Sequence, residues 1–248
     1  MLIDVNAMHG RWPFAPATAG PAQASGITLA LVCSAGGVLS PDPALDEADL
    51  AAEIPASSNM AHAPLISEEM PHWRQSLAEA QRAAICLVRL APSYRRTTLD
   101  IEHLAKVIHE ADTAGLCVAL TVRIEDERHH HPLMPVKPPT VDQLAQLAEA
   151  IHPTSLLLLN TYLSELHALA PQSNLLFETA MLDGDEPLAD AVSACGPDRL
   201  FFGSDHPILH APAQVAKLRL AQIDNDVRDA IAHQNISRWL GPQLPTPS

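Results

Sequence analysis

The chain has 248 residues, enough for one large α/β domain or two small ones and for a sizeable core. A hydrophobic fraction of 47% against a charged fraction of 18% excludes a disordered polypeptide. With 15 basic and 29 acidic residues the formal charge is −14, which excludes nucleic acid and anionic membrane as main partners, since both demand clustered Lys and Arg.

In chain order, short apolar runs predict strands over 2–6 ("LIDVN"), 27–33 ("ITLALVC"), more weakly 63–67 ("APLIS"), and 85–90 ("ICLVRL"). Further strands are predicted over 116–123 ("LCVALTVR"), 155–160 ("SLLLLN"), 174–179 ("NLLFET") and 199–203 ("RLFFG"). Their continuous apolar character, without strict alternation, points to strands buried on both faces, as in a parallel sheet. Helical spacing predicts helices over 72–82, 99–115, 140–152 and 186–196, and one or two closing helices over 224–241. Thr140 and Asp142 suit a helix start, and Gly115 and Gly196 suit helix stops. Residues 10–26 and 36–62 read as long Pro- and Ala-rich loops, and the last residues as a frayed end.

About eight strand–helix alternations in this length predict a (β/α)₈ TIM barrel, regular or distorted, as one domain over 1–248. A doubly wound open sheet is the competing architecture, but no GxGxxG or Walker-type glycine loop follows any strand. Cys33, Cys86, Cys117 and Cys195 stand singly, which suits small buried hydrophobes in a reducing cytosol. No basic leader followed by an apolar segment precedes the first strand, and no run approaches the roughly 18 residues of a membrane span. A cytoplasmic protein is the expectation.

A barrel of this kind does its chemistry at the C-terminal ends of its strands. Those ends carry Asn6, Arg89, Arg123 with the following "EDER" (125–128), Asn160, Glu178, and Asp205 in "FFGSDHP". Polar groups ending apolar strands cost desolvation energy unless they are paired or used. Asp205 is placed as a general base or ligand, or as the cap of the next helix, with Gly203 permitting a tight turn before it. Its neighbour His206 reads as a substrate contact or a surface histidine. Arg123 and Arg128, with Glu125, Asp126 and Glu127, either clamp a substrate carboxylate or form an internal ion-pair network. Glu178 is a second carboxylate for acid–base work or a paired buried acid, and Asn160 offers a donor and an acceptor but no base. The run His129–His131 tempts a metal reading, but adjacent side chains point apart.

Three segments together resemble the amidohydrolase superfamily, in particular its amidohydrolase-related group of decarboxylases and lactonases: "IDVNAMHG", "RLFFGSDHP" and the closing "NISRWLG". "LVRLAPSYR" (87–95) and "LTVRIEDERHHHP" (120–132) are similar to segments of members of that group, so the resemblance spans about residues 2–241. It implies a (β/α)₈ barrel that hydrolyses or decarboxylates small carboxylated molecules. It also implies a metal held by H-x-H on the first strand and by histidines ending the fifth and sixth, with an Asp after the eighth. Here the Asp is kept as Asp205, whereas Asn6 and Met8 replace H-x-H. The sixth-strand position falls at Asn160 and the fifth at Val122 or Arg123. Asn and Met are poor ligands for the metals concerned, so no cofactor is expected. A zinc-type ion would require a rearranged site using His9, Glu125 or Glu178.

The leading expectation is thus a metal-independent hydrolase of a small carboxylated ester, lactone or amide. Asp205 serves as general base, Arg89, Arg123 and Arg128 bind the anion, and Asn6 and Asn160 position the substrate. Metal-free lactonases of that superfamily are the precedent. The alternatives are a metal-dependent hydrolase or decarboxylase with a rearranged site, and a non-catalytic barrel that binds a small anion or a protein partner. Trp12 and Phe14 serve either a homo-oligomer contact or a wall of the site.

Overall fold

The computed structural model describes residues 1–10, 26–54, 59–95, 99–130 and 136–244, without the side chains of Arg95 and His129. The expected roles of Trp12, Phe14 and His131 lie outside these residues. Among the described residues eight parallel strands follow one another around the molecule: β1 Ile3–His9, β2 Leu29–Ser34, β3 Met60–His62, β4 Leu87–Leu90, β5 Cys117–Thr121, β6 Leu156–Leu159, β7 Leu175–Glu178 and β8 Leu200–Phe201. Continuous ladders join β1–β2–β3 and β4 through β8, and backbone bonds close both seams. Between β3 and β4, Arg89 N donates to the Pro64 carbonyl at 2.9 Å and Ile66 N to the Arg89 carbonyl at 2.8 Å. Between β8 and β1, Val5 N donates to Phe202 O at 3.0 Å and Asp205 N to Asn6 O at 2.7 Å. The result is the predicted (β/α)₈ barrel.

Period-two alternation divides each strand between two cores. Ile3, Val5, Leu29, Leu31, Leu157, Leu159 and Phe201 face the barrel interior and cluster together. Val88, Leu90, Val118, Leu120, Leu158 and Phe177 face the helices. Each fully buried Leu or Phe side chain among them contributes about 1.5–3 kcal/mol. The helices are α1 Ala44–Glu53, α2 Trp73–Arg82, α3 Ile101–Thr113, α4 Val141–Ile151, α5 Leu163–Leu169, α6 Pro187–Cys195, α7 Ala211–Leu220, α8 Asn225–Asp229 and α9 Asn235–Leu240. Thr140 caps α4 in a reciprocal box with Gln143. At the N-terminal end of the barrel, Trp239 of α9 packs edge-on against Phe201, centroids 5.7 Å apart. No helix among the described residues is long and apolar enough to cross a membrane.

The structure departs from the sequence reading in several places. The third strand is Met60–His62, earlier than the expected 63–67, because "APLI" makes only a single bridge, Leu65 to Arg89. Helix α1 lies inside the segment expected to be a loop. Its inward face is short, and one of its two buried residues is an acid, Glu47. Helix α5 buries only two side chains, and the apolar residues of α7 are spread around the helix rather than gathered on one face. All four cysteines are free, and three of them are buried.

Gly203 also has a different role from the expected tight turn. Its φ is not left-handed; Asp205 instead takes that conformation, at φ +52°. A Cβ on Gly203 would overlap Glu178 Oε2 and come within 3.0 Å of Asn6 Cβ. Glu178 cannot move aside, because its Oε1 accepts from Asn160 N and its Oε2 from Ala180 N, both at 2.6 Å. Gly203 therefore lets β8 close against β1 and β7. Gly203→Ala should cost about 1–3 kcal/mol in denaturant unfolding, or more if the strand ends separate. Glu178→Gln should cost about 1–3 kcal/mol at pH 8, since its amide nitrogen would face a backbone N–H. A wild-type midpoint for either variant would contradict this packing.

Candidate active site

The first strand is built with a bulge. Its pairing with β2 steps from Asp4↔Ala30 to Ala7↔Val32, three residues opposite two. Bulges re-aim side chains and are common beside active sites. This one turns Asn6 and Met8 into the C-terminal mouth and sends Asp4 sideways, where it accepts from Ser204 N at 3.0 Å and from Ser204 Oγ.

Within the mouth the strand-end residues hold one another. Asn6 Nδ2 donates to Asn160 Oδ1 at 2.6 Å, and Asn160 Nδ2 donates to Asp205 Oδ1 at 2.9 Å and to the Arg123 carbonyl at 2.8 Å. Arg89 completes the chain from β4: its Nη2 donates to Leu31 O at 2.6 Å and Val5 O at 3.1 Å, and its Nη1 to Asn6 Oδ1 at 3.4 Å. Asn160 and Asp205 both sit in the left-handed region, at φ +60° and +52°. Asn and Asp tolerate that region best among non-glycine residues, and strain of this kind persists only where surrounding bonds over-determine it.

Two atoms of this network have no partner among the described residues: Asp205 Oδ2, an acceptor, and Arg89 Nε, a donor. Both residues line one cavity of about 10 Å³ with Asn6, Met8, Thr121 and Asn160, room for about a single water. Above it Met8, Cys33, Val38, Leu65, Ala91 and Ile124 form an apolar cap. Burial raises Asp205 well above the ordinary carboxylate range, against the lowering effect of the Asn160 bond. Burial likewise raises Asp4 and pushes Glu178 up to about 7, two backbone N–H bonds notwithstanding. Lys217 stands near Glu178, donates to the Thr179 and Ala180 carbonyls, and is itself lowered by burial.

The structure brings together Asn6, Arg89, Asn160, Glu178 and Asp205. Arg123 adjoins them, but its donors are taken: Nε by Glu127 at 3.0 Å, Nη1 by Glu165 and the Asn160 carbonyl at 2.7 Å, and Nη2 by Glu165. Its guanidinium lies 3.9 Å over the Tyr162 ring. Arg128 stands apart, 85% exposed and paired with Asp126. Glu125 is half-buried at the rim near Tyr94, whose hydroxyl accepts from Ile124 N. His206 is half-buried, and burial and the nearby His9 and His210 depress its pKa. Thr121 and Glu165 were not anticipated. Thr121 is the inward position ending β5, two residues after the interior Ala119, whereas Val122 packs outward.

The residues present do not fit a divalent metal. Both functions of the Asn6 amide are engaged, Asn160 is bonded on both sides, and a guanidinium shares the cavity. Glu178 is committed to two backbone N–H groups, which removes it from a rearranged site. Among the described residues no three His, Cys, Asp or Glu are grouped to hold one ion.

No known family profile and no curated protein sequence matches the chain. Solved structures match it over almost its full length. 5-Carboxyvanillate decarboxylase LigW from Sphingomonas paucimobilis is 14% identical at a TM-score of 0.68, covering 96% of this chain and 98% of that one. A dihydroxybenzoic acid decarboxylase from Polaromonas sp. JS666, solved with manganese and 2-nitroresorcinol, is 11% identical at 0.69, covering 99% of both. A Pseudomonas putida protein provisionally named a 2-pyrone-4,6-dicarboxylic acid hydrolase is 15% identical at 0.68, covering 98% of both. At such identities the likeness is one of fold: the chain is built on the same barrel as these decarboxylases and hydrolases.

Proposed function

We propose that the chain is a metal-independent hydrolase of the amidohydrolase-related kind, acting on a small carboxylated ester or lactone, with Asp205 as general base. The observation that carries this reading is the pairing of Asp205 Oδ2 and Arg89 Nε, an unpartnered acceptor and an unpartnered donor lining one small cavity. A water placed there can donate to the carboxylate while the guanidinium orients it and stabilises the charge that develops on the attacked carbonyl oxygen. Oxygen–carbon bond formation passes the water proton to Asp205, which returns it to the departing alkoxide. Asn6 and Asn160 orient the carboxylate rather than contact the proton. Arg123, held by Glu127 and Glu165, positions Asn160 through its carbonyl. Substrate reaches the centre when the apolar cap parts, with His206 at the rim as a first contact for its carboxylate.

Decarboxylation is the second reading, favoured by the raised pKa of Asp205: a protonated Asp205 can deliver a proton to the carbon that loses CO₂. The two readings have opposite pH limbs. A base works ionised, so kcat/KM should rise with pH and level off above the raised pKa of Asp205; an acid works protonated, so the rate should fall over the same interval. Asp205→Asn should lower kcat by about 10²–10⁴-fold while leaving the circular dichroism spectrum and cooperative unfolding in place. Unchanged turnover by that variant contradicts both readings. Absence of turnover by the wild type, across lactones, esters and aromatic carboxylic acids, would favour a non-catalytic barrel.

A further inference from the structure

Arg89 leaves β4 from the inward-facing position two residues beyond Leu87, and it is only 2% exposed. A guanidinium keeps its proton under any condition in which a protein stays folded, so its charge must be met inside the barrel. The β1 bulge meets it: the carbonyl of Val5, within the stretch where the β1–β2 register shifts, turns to Nη2, and the carbonyl of Leu31 in β2 does the same. Asn6 adds its Oδ1. The buried carboxylates of Asp4 and Asp205 both feel the positive charge of Arg89. Asn6 holds the first position of the resembled H-x-H, so the residue that would ligate a metal there is instead bonded to an arginine.

We infer that the Arg89 guanidinium is the resident cation of the barrel mouth, held where barrels of this kind place a divalent metal, and that it balances the buried carboxylates there. An ion at the same place would meet a fixed positive charge, with Asp205 Oδ2 as the only uncommitted carboxylate oxygen that the described residues offer in the cavity. The bulge, the glycine-lined closure of β8 and the Asn6–Asn160 pair are then parts of one device for holding a guanidinium. The inference stands on the placement of charge and not on the hydrolytic reading, since a chain without turnover would hold its arginine in the same way.

The test is therefore metal and cation binding, read by metal content and melting temperature rather than by activity. Wild-type protein exposed to Mn²⁺ or Zn²⁺ and then dialysed should carry sub-stoichiometric metal, and chelator should leave its melting temperature unchanged. Stoichiometric metal that stabilises the wild type and is lost in Asp205→Asn overturns the inference. Arg89→Ala should melt lower and be restabilised by millimolar methylguanidinium, with no such effect from the same concentration of urea. Mn²⁺ should stabilise that variant more than the wild type, because the carboxylates have lost their cation. A variant that melts like the wild type, or responds alike to methylguanidinium and urea, also overturns the inference. Should Arg89→Ala not fold, the wild-type metal measurement decides alone.

Discussion

Burial of the Arg89 charge constrains everything around it. A guanidinium inside a barrel is tolerated only if carbonyls and carboxylates converge on it, and the convergence here comes from two strands and the turn after a third. β1 gives up ladder regularity to present Val5 O and Asn6, β2 contributes Leu31 O, and the turn after β8 brings Asp205. Asn160 at the end of β6 ties Asn6 to Asp205, at the cost of a left-handed backbone. Glu178 fixes that backbone from β7, and Gly203 gives Glu178 its room.

The same constraint explains why arginines equally visible in sequence have different roles. Arg89 sits at an inward strand position, where among the described residues no carboxylate side chain bonds its head directly and Nε has no partner. Arg123 lies past the end of β5, within reach of Glu127, Glu165 and Tyr162, and its donors are used in holding the β5–β6 edge together. Arg128, farther along the same turn, points into solvent. Distance from the strand end decides whether a cation belongs to the polar centre, to its frame or to the surface.

Much of this was legible in the sequence because it depends on short-range pattern. Strands buried on both faces announce themselves as unbroken apolar runs, and a polar residue closing such a run is visible as an anomaly: Asn6, Arg89, Asn160, Glu178 and Asp205 were found that way. Contacts between distant segments were not legible. Glu165 meets Arg123 across 42 residues, and no local signal marks it. Thr121 was hidden because the apolar run continues past it to Val122, one residue beyond the last ladder pair, Thr121↔Leu159. The reason for Gly203 was illegible too, since it lies in another strand's carboxylate. Helices α1 and α5 bury too few side chains to declare a face, and α7 spreads its apolar residues around the helix.

The group lying between Asp205 Oδ2 and Arg89 Nε distinguishes an arginine-centred mouth from a metal-centred one. A high-resolution crystal structure of the wild-type protein grown with Zn²⁺ or Mn²⁺, with anomalous diffraction collected for those ions, addresses it directly. A water or a substrate oxygen is expected within hydrogen-bond distance of both groups, with no anomalous peak there. An ion about 2.0–2.2 Å from the Asp205 carboxylate, with Arg89 swung out of the mouth, would contradict it.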